Sequence, residues 1–95
     1  MTKREIDFKK IEKAAERLSA IAHPTRIAII SLLEEHIELN VTSICSMLKR
    51  TQPTASHHLS ILKNKDILVS RKDGKQIFYS LHNENILKTL RCIDK

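Results

Sequence analysis

A mainly helical domain carrying one two-stranded β-hairpin is the fold class this sequence predicts, in the order H-H-H-H-E-E-H. Three observations predict it. Apolar residues recur at helical spacing through residues 7–64, proline and capping residues punctuate that run, and beyond Ile67 the period switches to alternation around Asp73-Gly74. Ninety-five residues with 41% hydrophobic content suit one domain spanning residues 1–95, near the size at which folding alone becomes marginal. A second copy of the chain would help.

Asp7 to Ile21 carries Phe8, Ile11, Ala15, Leu18 and Ile21 at helical spacing, with Lys9, Lys10, Lys13 and Arg17 around the rest of the wheel, as an amphipathic helix requires. His23-Pro24 stops that helix and starts another, because proline is disfavoured inside a helix but suits its first turn. Ile27, Ile30 and Leu33 then recur to about Glu35. Glu38 to Val41 reads as a short extended link, and Thr42 can cap a third helix whose inward positions are Ile44, Met47 and Leu48. Arg50-Thr51 makes a corner. Thr51 caps a fourth helix, Pro53 sits in its first turn, and the helix runs to about Asn64.

From Ile67 the stretches "ILVSRK" and "KQIFYSL" flank Asp73-Gly74, and Ile77, Tyr79 and Leu81 alternate with Phe78 and Ser80. Two strands joined in this way make a hairpin, since glycine tolerates the positive φ of such a turn. Asn83 can cap a last helix bearing Ile86, Leu87, Leu90 and Ile93. The chain shows no internal repeat, low-complexity tract or linker.

Seventeen Lys and Arg against eleven Asp and Glu give a formal charge of +6, while aromatic content is 3%. An acidic polymer suits that charge, and the scarcity of stacking platforms favours duplex over single-stranded nucleic acid. No run approaches the roughly 18 apolar residues of a membrane span, and "MTKREIDFKK" lacks the apolar stretch of a signal peptide. A cytoplasmic chain with no membrane partner is expected. Cys45 and Cys92 have no paired spacing, which gives a structural disulfide or a zinc finger little support. No cofactor is expected.

Two short helices joined by a tight corner and followed by a basic hairpin make a winged helix-turn-helix, in which one helix enters the major groove and the wing lies on neighbouring backbone. At about 100° per residue, Ala55, Leu59 and Leu62 point one way while Pro53, Ser56, His57 and Ser60 point the other, with Gln52 and Thr54 at the flanks. That outward face is polar but nearly uncharged. Glutamine can present donor and acceptor to adenine, hydroxyls serve either role, and an imidazole can donate to an acceptor or phosphate. Arg71, Lys72, Lys75 and Gln76 surround the wing tip and add affinity with little sequence choice.

The stretches "SAIAHPTRIAIISLL", "TQPTASHHLSILKNKDIL" and "RKDGKQIFYSL", in this order and at these separations, resemble the ArsR/SmtB family of bacterial transcriptional repressors over roughly residues 14–82. The resemblance implies a homodimer that occupies an inverted-repeat operator on double-stranded DNA and leaves it when an inducer binds. It places Gln52, Thr54, Ser56 and His57 on the DNA-reading helix and Arg71 to Gln76 on the wing. It also implies a dimer interface built by the first and last helices, which agrees with the apolar stripes on Phe8, Ile11 and Leu18 and on Ile86, Leu90 and Ile93. Two DNA-reading helices related by a two-fold axis would meet successive major grooves about 34 Å apart.

The sensor expected of such a protein departs from the family pattern. Metalloid-sensing members carry Cys-x-Cys where the third helix begins, but those positions here are Asn40 and Thr42. A second common metal site uses aspartate, histidine and glutamate on the last helix, against which this chain offers His82, Glu84, Arg91 and Asp94. A closed tetrahedral zinc site needs about four ligands, so no metal site is expected. Members that sense persulfides or oxidants use two cysteines, which keeps a thiol switch between Cys45 and Cys92 open. The blander reading makes Cys45 a small buried hydrophobe and Cys92 an incidental thiol.

His57 and His58 lie about 100° apart on the wheel and are poorly placed to share one ion. His57 faces outward, to DNA or to solvent, and His58 leans inward as a hydrogen-bonded support. His23 is expected to cap a helix, His36 to lie on the surface and His82 to end a strand. Arg26 can reach a phosphate or pair with Glu16. An enzyme would need a nucleophile or acid–base pair in a pocket with oxyanion donors, and nothing in the sequence supplies one. A winged protein-interaction module without DNA binding would predict an acidic or apolar face on the fourth helix and a depleted wing, and the sequence shows neither.

Overall fold

A computed structural model describes residues 6–82. Its elements, in chain order, are α1 (Phe8–Ile21), α2 (Pro24–His36), β1 (Glu38–Asn40), α3 (Val41–Leu48), α4 (Gln52–Asn64), β2 (Leu68–Asp73) and β3 (Gln76–Leu81). The last helix expected around Ile86 to Ile93 lies outside the described residues.

Each helix begins where a side chain or a proline removes an unpaired N–H. The Asp7 carboxylate accepts from the backbone N–H of Lys9 and Lys10 at 3.1 and 3.4 Å. Extended His23 caps α2 through Nδ1, which accepts from Thr25 N–H at 3.1 Å, and Pro24 opens the helix. Asn40, not Thr42, caps α3: the helix starts at Val41, and Asn40 Oδ1 accepts from Ser43 N–H at 2.7 Å. Thr51 occupies the cap position of α4 in extended backbone, but its hydroxyl donates to Thr54 Oγ1 at 3.0 Å and to no backbone group.

The corner between α3 and α4 starts one residue earlier than Arg50-Thr51. Lys49 adopts left-handed geometry (φ 55°, ψ 46°), its N–H donates back to the end of α3, and Arg50 N–H donates to Cys45 O at 3.1 Å. This is the helix-ending turn that glycine usually serves.

The link at Glu38–Asn40 is a true strand, so the hairpin belongs to a three-stranded antiparallel sheet of order β1-β3-β2. Glu38 pairs with Ser80 and Asn40 with Phe78, while across β3 Arg71 pairs with Phe78 and Asp73 with Gln76. Gly74 turns the hairpin at φ 64°.

The core lies where α2, α3 and α4 meet the sheet. Ile29, Ile30, Leu33, Ile44, Leu59 and Leu62 are essentially sealed from solvent, with Ile67, Leu68 and Tyr79 closing the sheet side. Each fully buried aliphatic contributes roughly 1.5–3 kcal/mol, which is what fastens a two-turn helix such as α3. Two expected inward residues lie outside the core. Ile27 is 51% exposed and Met47 46% exposed, because the buried arc of α2 runs through Ile29, Ile30 and Leu33 and that of α3 centres on Ile44. On α1 only Ala20 and Ile21 are buried; Phe8, Ile11 and Leu18 remain 66%, 50% and 40% exposed.

Candidate nucleic-acid interface

Helix α4 is two-faced. Ala55, Leu59 and Leu62 are fully buried and His58 nearly so, while Gln52, Pro53, Thr54, His57 and Ser60 are exposed and Ser56 is half-buried. The five polar residues predicted to face bases (Gln52, Thr54, Ser56, His57 and Ser60) therefore ride on a helix that the core holds from behind. Thr54 accepts from Thr51, which leaves its own hydroxyl proton free to donate outward.

The wing is braced rather than loose. Arg71 extends over the Phe78 ring, 4.5 Å from its centroid, and donates from Nε and one terminal nitrogen to the Glu38 carboxylate at 2.8 and 2.6 Å. Asp73 adds a second carboxylate 3.7 Å away. Hydrogen bonding to Arg71 holds the Glu38 carboxyl below its ordinary range, and the same bond holds the Arg71 guanidinium more firmly charged. Gln76 is braced too: its Oε1 accepts from Asn40 Nδ2 at 3.0 Å. Lys72 and Lys75 are exposed at the tip. Of the four predicted wing contacts, two stand engaged with β1 and two project.

Behind α4 lies a cluster that sequence reasoning saw only in part. Arg26 meets neither Glu16 nor open solvent alone. Its Nε donates to His58 Nδ1 at 3.1 Å and its Nη1 donates to the Ala20 carbonyl at 3.0 Å. Glu16 instead approaches Lys65 at 4.0 Å. The His23 and His58 rings lie 4.5 Å apart, and His57 meets His58 edge-on at 5.5 Å. Burial pushes the His58 pKa down, and the neighbouring His23, Arg26, His57 and Arg50 push it the same way. Two histidines in sequence signalled a support residue, but the 32 residues between Arg26 and His58 left the partner unmarked.

Cys45 is a half-buried free thiol on α3, and Cys92 lies outside the described residues. So do Ile86, Leu90 and Ile93 of the expected dimer seam and Glu84, Arg91 and Asp94 of the family's metal site. Among the described residues no group of three or more His, Cys, Asp or Glu is placed to hold a metal ion. His36 is exposed beside Glu35, and exposed His82 follows β3, donating its N–H to Ile67 O at 2.9 Å. No helix among these residues is long and apolar enough to cross a membrane.

Helix pair, tight corner and braced hairpin together define a winged helix-turn-helix protein. At the level of fold, the chain matches a Mycobacterium bovis protein, described as a homodimeric winged helix-turn-helix DNA-binding domain, with a TM-score of 0.80 and 23% identity over 98% of this chain and 87% of that one. The profile of "Bacterial regulatory protein, arsR family" matches residues 23–70. The chain is 40% identical over 91 residues to the transcriptional repressor PagR of Bacillus anthracis, covering 93% of this chain and 91% of PagR. The PagR crystal structure superposes with a TM-score of 0.80 at 34% identity, over 92% of this chain and 99% of PagR. An HTH-type transcriptional regulator of Methanocaldococcus jannaschii, MJ1325, is 40% identical over 88 residues, which are 93% of this chain and 99% of the relative. The chain thus belongs to the arsR family of bacterial regulatory proteins.

Proposed function

We propose that this chain is a sequence-specific transcriptional repressor that binds an inverted-repeat operator as a homodimer and acts by binding, not by catalysis, in the cytoplasm. Gln52, Thr54, Ser56, His57 and Ser60 read base edges from α4. Lys72 and Lys75 at the wing tip hold the strands and carry the salt dependence, with Arg71 and Gln76 braced behind them. The observation that carries this reading is the division of α4 into a sealed apolar side and an exposed, polar, nearly uncharged side. Its kinship with PagR, a transcriptional repressor, supports the same reading.

The homodimer is supported by the exposed apolar stripe of Phe8, Ile11 and Leu18 on α1, which the described residues leave uncovered. Ile86, Leu90 and Ile93 complete that seam in this proposal.

Selecting duplexes from a random pool with the purified protein tests it. A palindromic consensus with half-sites about one helical turn apart is expected. A pool that never converges on a sequence overturns the reading. Retesting the selected duplex with an oxidant decides whether Cys45 and Cys92 form a switch, and retesting with zinc decides whether a metal acts as inducer.

A further inference from the structure

The adjacent histidines of α4 face opposite ways. His57 is exposed, whereas His58 is only 8% exposed and sits beneath the outward face of the helix. A guanidinium has donors only, so the bond from Arg26 Nε requires His58 Nδ1 to be unprotonated. The His58 proton is therefore on Nε2. His23 obeys the same logic, because its Nδ1 accepts a backbone N–H from Thr25. Two neutral imidazoles in ring contact, together with one guanidinium, thus tie three places together: the Ala20 carbonyl near the end of α1, the start of α2, and the middle of α4.

A second proton on His58 has nowhere favourable to go. Among the described residues, the titratable and charged groups that face it are His23 and Arg26 from the start of α2, His57 from its own helix and Arg50 from the corner after α3, and none of these is an anion. An imidazolium there would strip Arg26 Nε of its acceptor and place like charges side by side in a buried site.

We propose that His58 is a positioning residue for DNA reading, and that only its neutral form lets Arg26 lock α4 to the α1–α2 corner with Gln52, Ser56 and His57 presented to bases. This rests on the DNA-reading role of α4. Acid then weakens operator binding through His58, and the exposed ring of His57 on the same helix is removed in the test so that only His58 is compared.

The test compares two full-length chains, His57→Gln alone and His57→Gln with His58→Asn, on the duplex selected from the random pool. Asparagine offers an amide oxygen near the place of Nδ1 and does not titrate. Each chain is its own reference, so a uniform loss of affinity does not matter. From about pH 7.5 to about pH 5 the single variant should lose about 3- to 10-fold in affinity, while the double variant stays within about twofold. Equal ratios in the two chains overturn the proposal. If wild type binds no duplex preferentially at about pH 7.5, the DNA-reading role falls and this inference with it; selective wild-type binding with equal ratios sinks this inference alone. A DNA-free measurement stands beside it: side-chain nitrogen NMR of the neutral protein should show His58 as the Nε2–H tautomer, and a proton on Nδ1 overturns the proposal.

Discussion

Arg71 crosses the face of Phe78 to grip the Glu38 carboxylate with two hydrogen bonds, of 2.8 and 2.6 Å, so the outer strand of the wing is tied to the far strand of the sheet. The pair links residues 33 apart in sequence and spans the middle strand β3. A cation expected to serve phosphates is, in the free protein, occupied by an anion of its own chain.

Releasing that cation should strengthen DNA binding without sharpening it. Glu38→Gln is expected to tighten selected and random duplexes alike and to steepen the salt slope by about one unit, since one more phosphate is neutralised. Titrations at two salt concentrations check this. An unchanged slope would mean that Arg71 stays on the sheet when DNA is bound.

The two sides of α4 should separate function from stability. Gln52→Ala or Ser56→Ala is expected to cost about 1–3 kcal/mol of operator binding and to relax base preference, with stability within about 0.5 kcal/mol. Leu59→Ala, on the sealed side, should cost about 2–5 kcal/mol of folding stability. Urea melts beside binding titrations would show the split, and a Gln52→Ala chain that unfolds early would contradict it.

Lys49 holds a left-handed conformation at the corner after α3, which costs a side-chain-bearing residue about 1–2 kcal/mol. Glycine removes that strain but gains freedom in the unfolded chain, so Lys49→Gly should be more stable by about 0.5–1 kcal/mol. A lower melting temperature for the variant would show that the Lys49 side chain contributes more than its backbone costs.

Stability should also depend on pH through His58, whose folded pKa lies below its unfolded value of about 6.5. Between those two values the unfolded chain binds the extra proton more readily, so stability climbs with pH across the window and is complete above about 6.5. It is lost as pH falls through the folded value. The urea midpoint of wild type should therefore drop further on acidification than that of His58→Asn, and parallel drops would rule out His58 as the cause.

Local chemistry made much of this molecule legible in its sequence. Pro24 and Pro53 mark helix starts, Gly74 marks the hairpin turn, and the spacing of Ala55, Leu59 and Leu62 gives the orientation of α4. Strand β1 was not legible as a strand, because three residues are too few to show alternation and their partners lie about 40 positions away on β3. Asn40 displaced Thr42 as a cap because either residue can serve and only the start of the helix decides. The ties from Arg26 to His58 and from Arg71 to Glu38 are long-range pairings of polar groups that carry no periodic mark.

In the proposed function, the polar side of α4 selects sequence while the wing supplies sequence-blind grip. Titrating the protein into the selected duplex and into a scrambled one at about 50 and about 200 mM salt tests this division most directly. Binding to both should weaken steeply with salt while a preference of about 1000-fold or more for the selected duplex persists. Equal affinity for the two duplexes with no dependence on salt would contradict it.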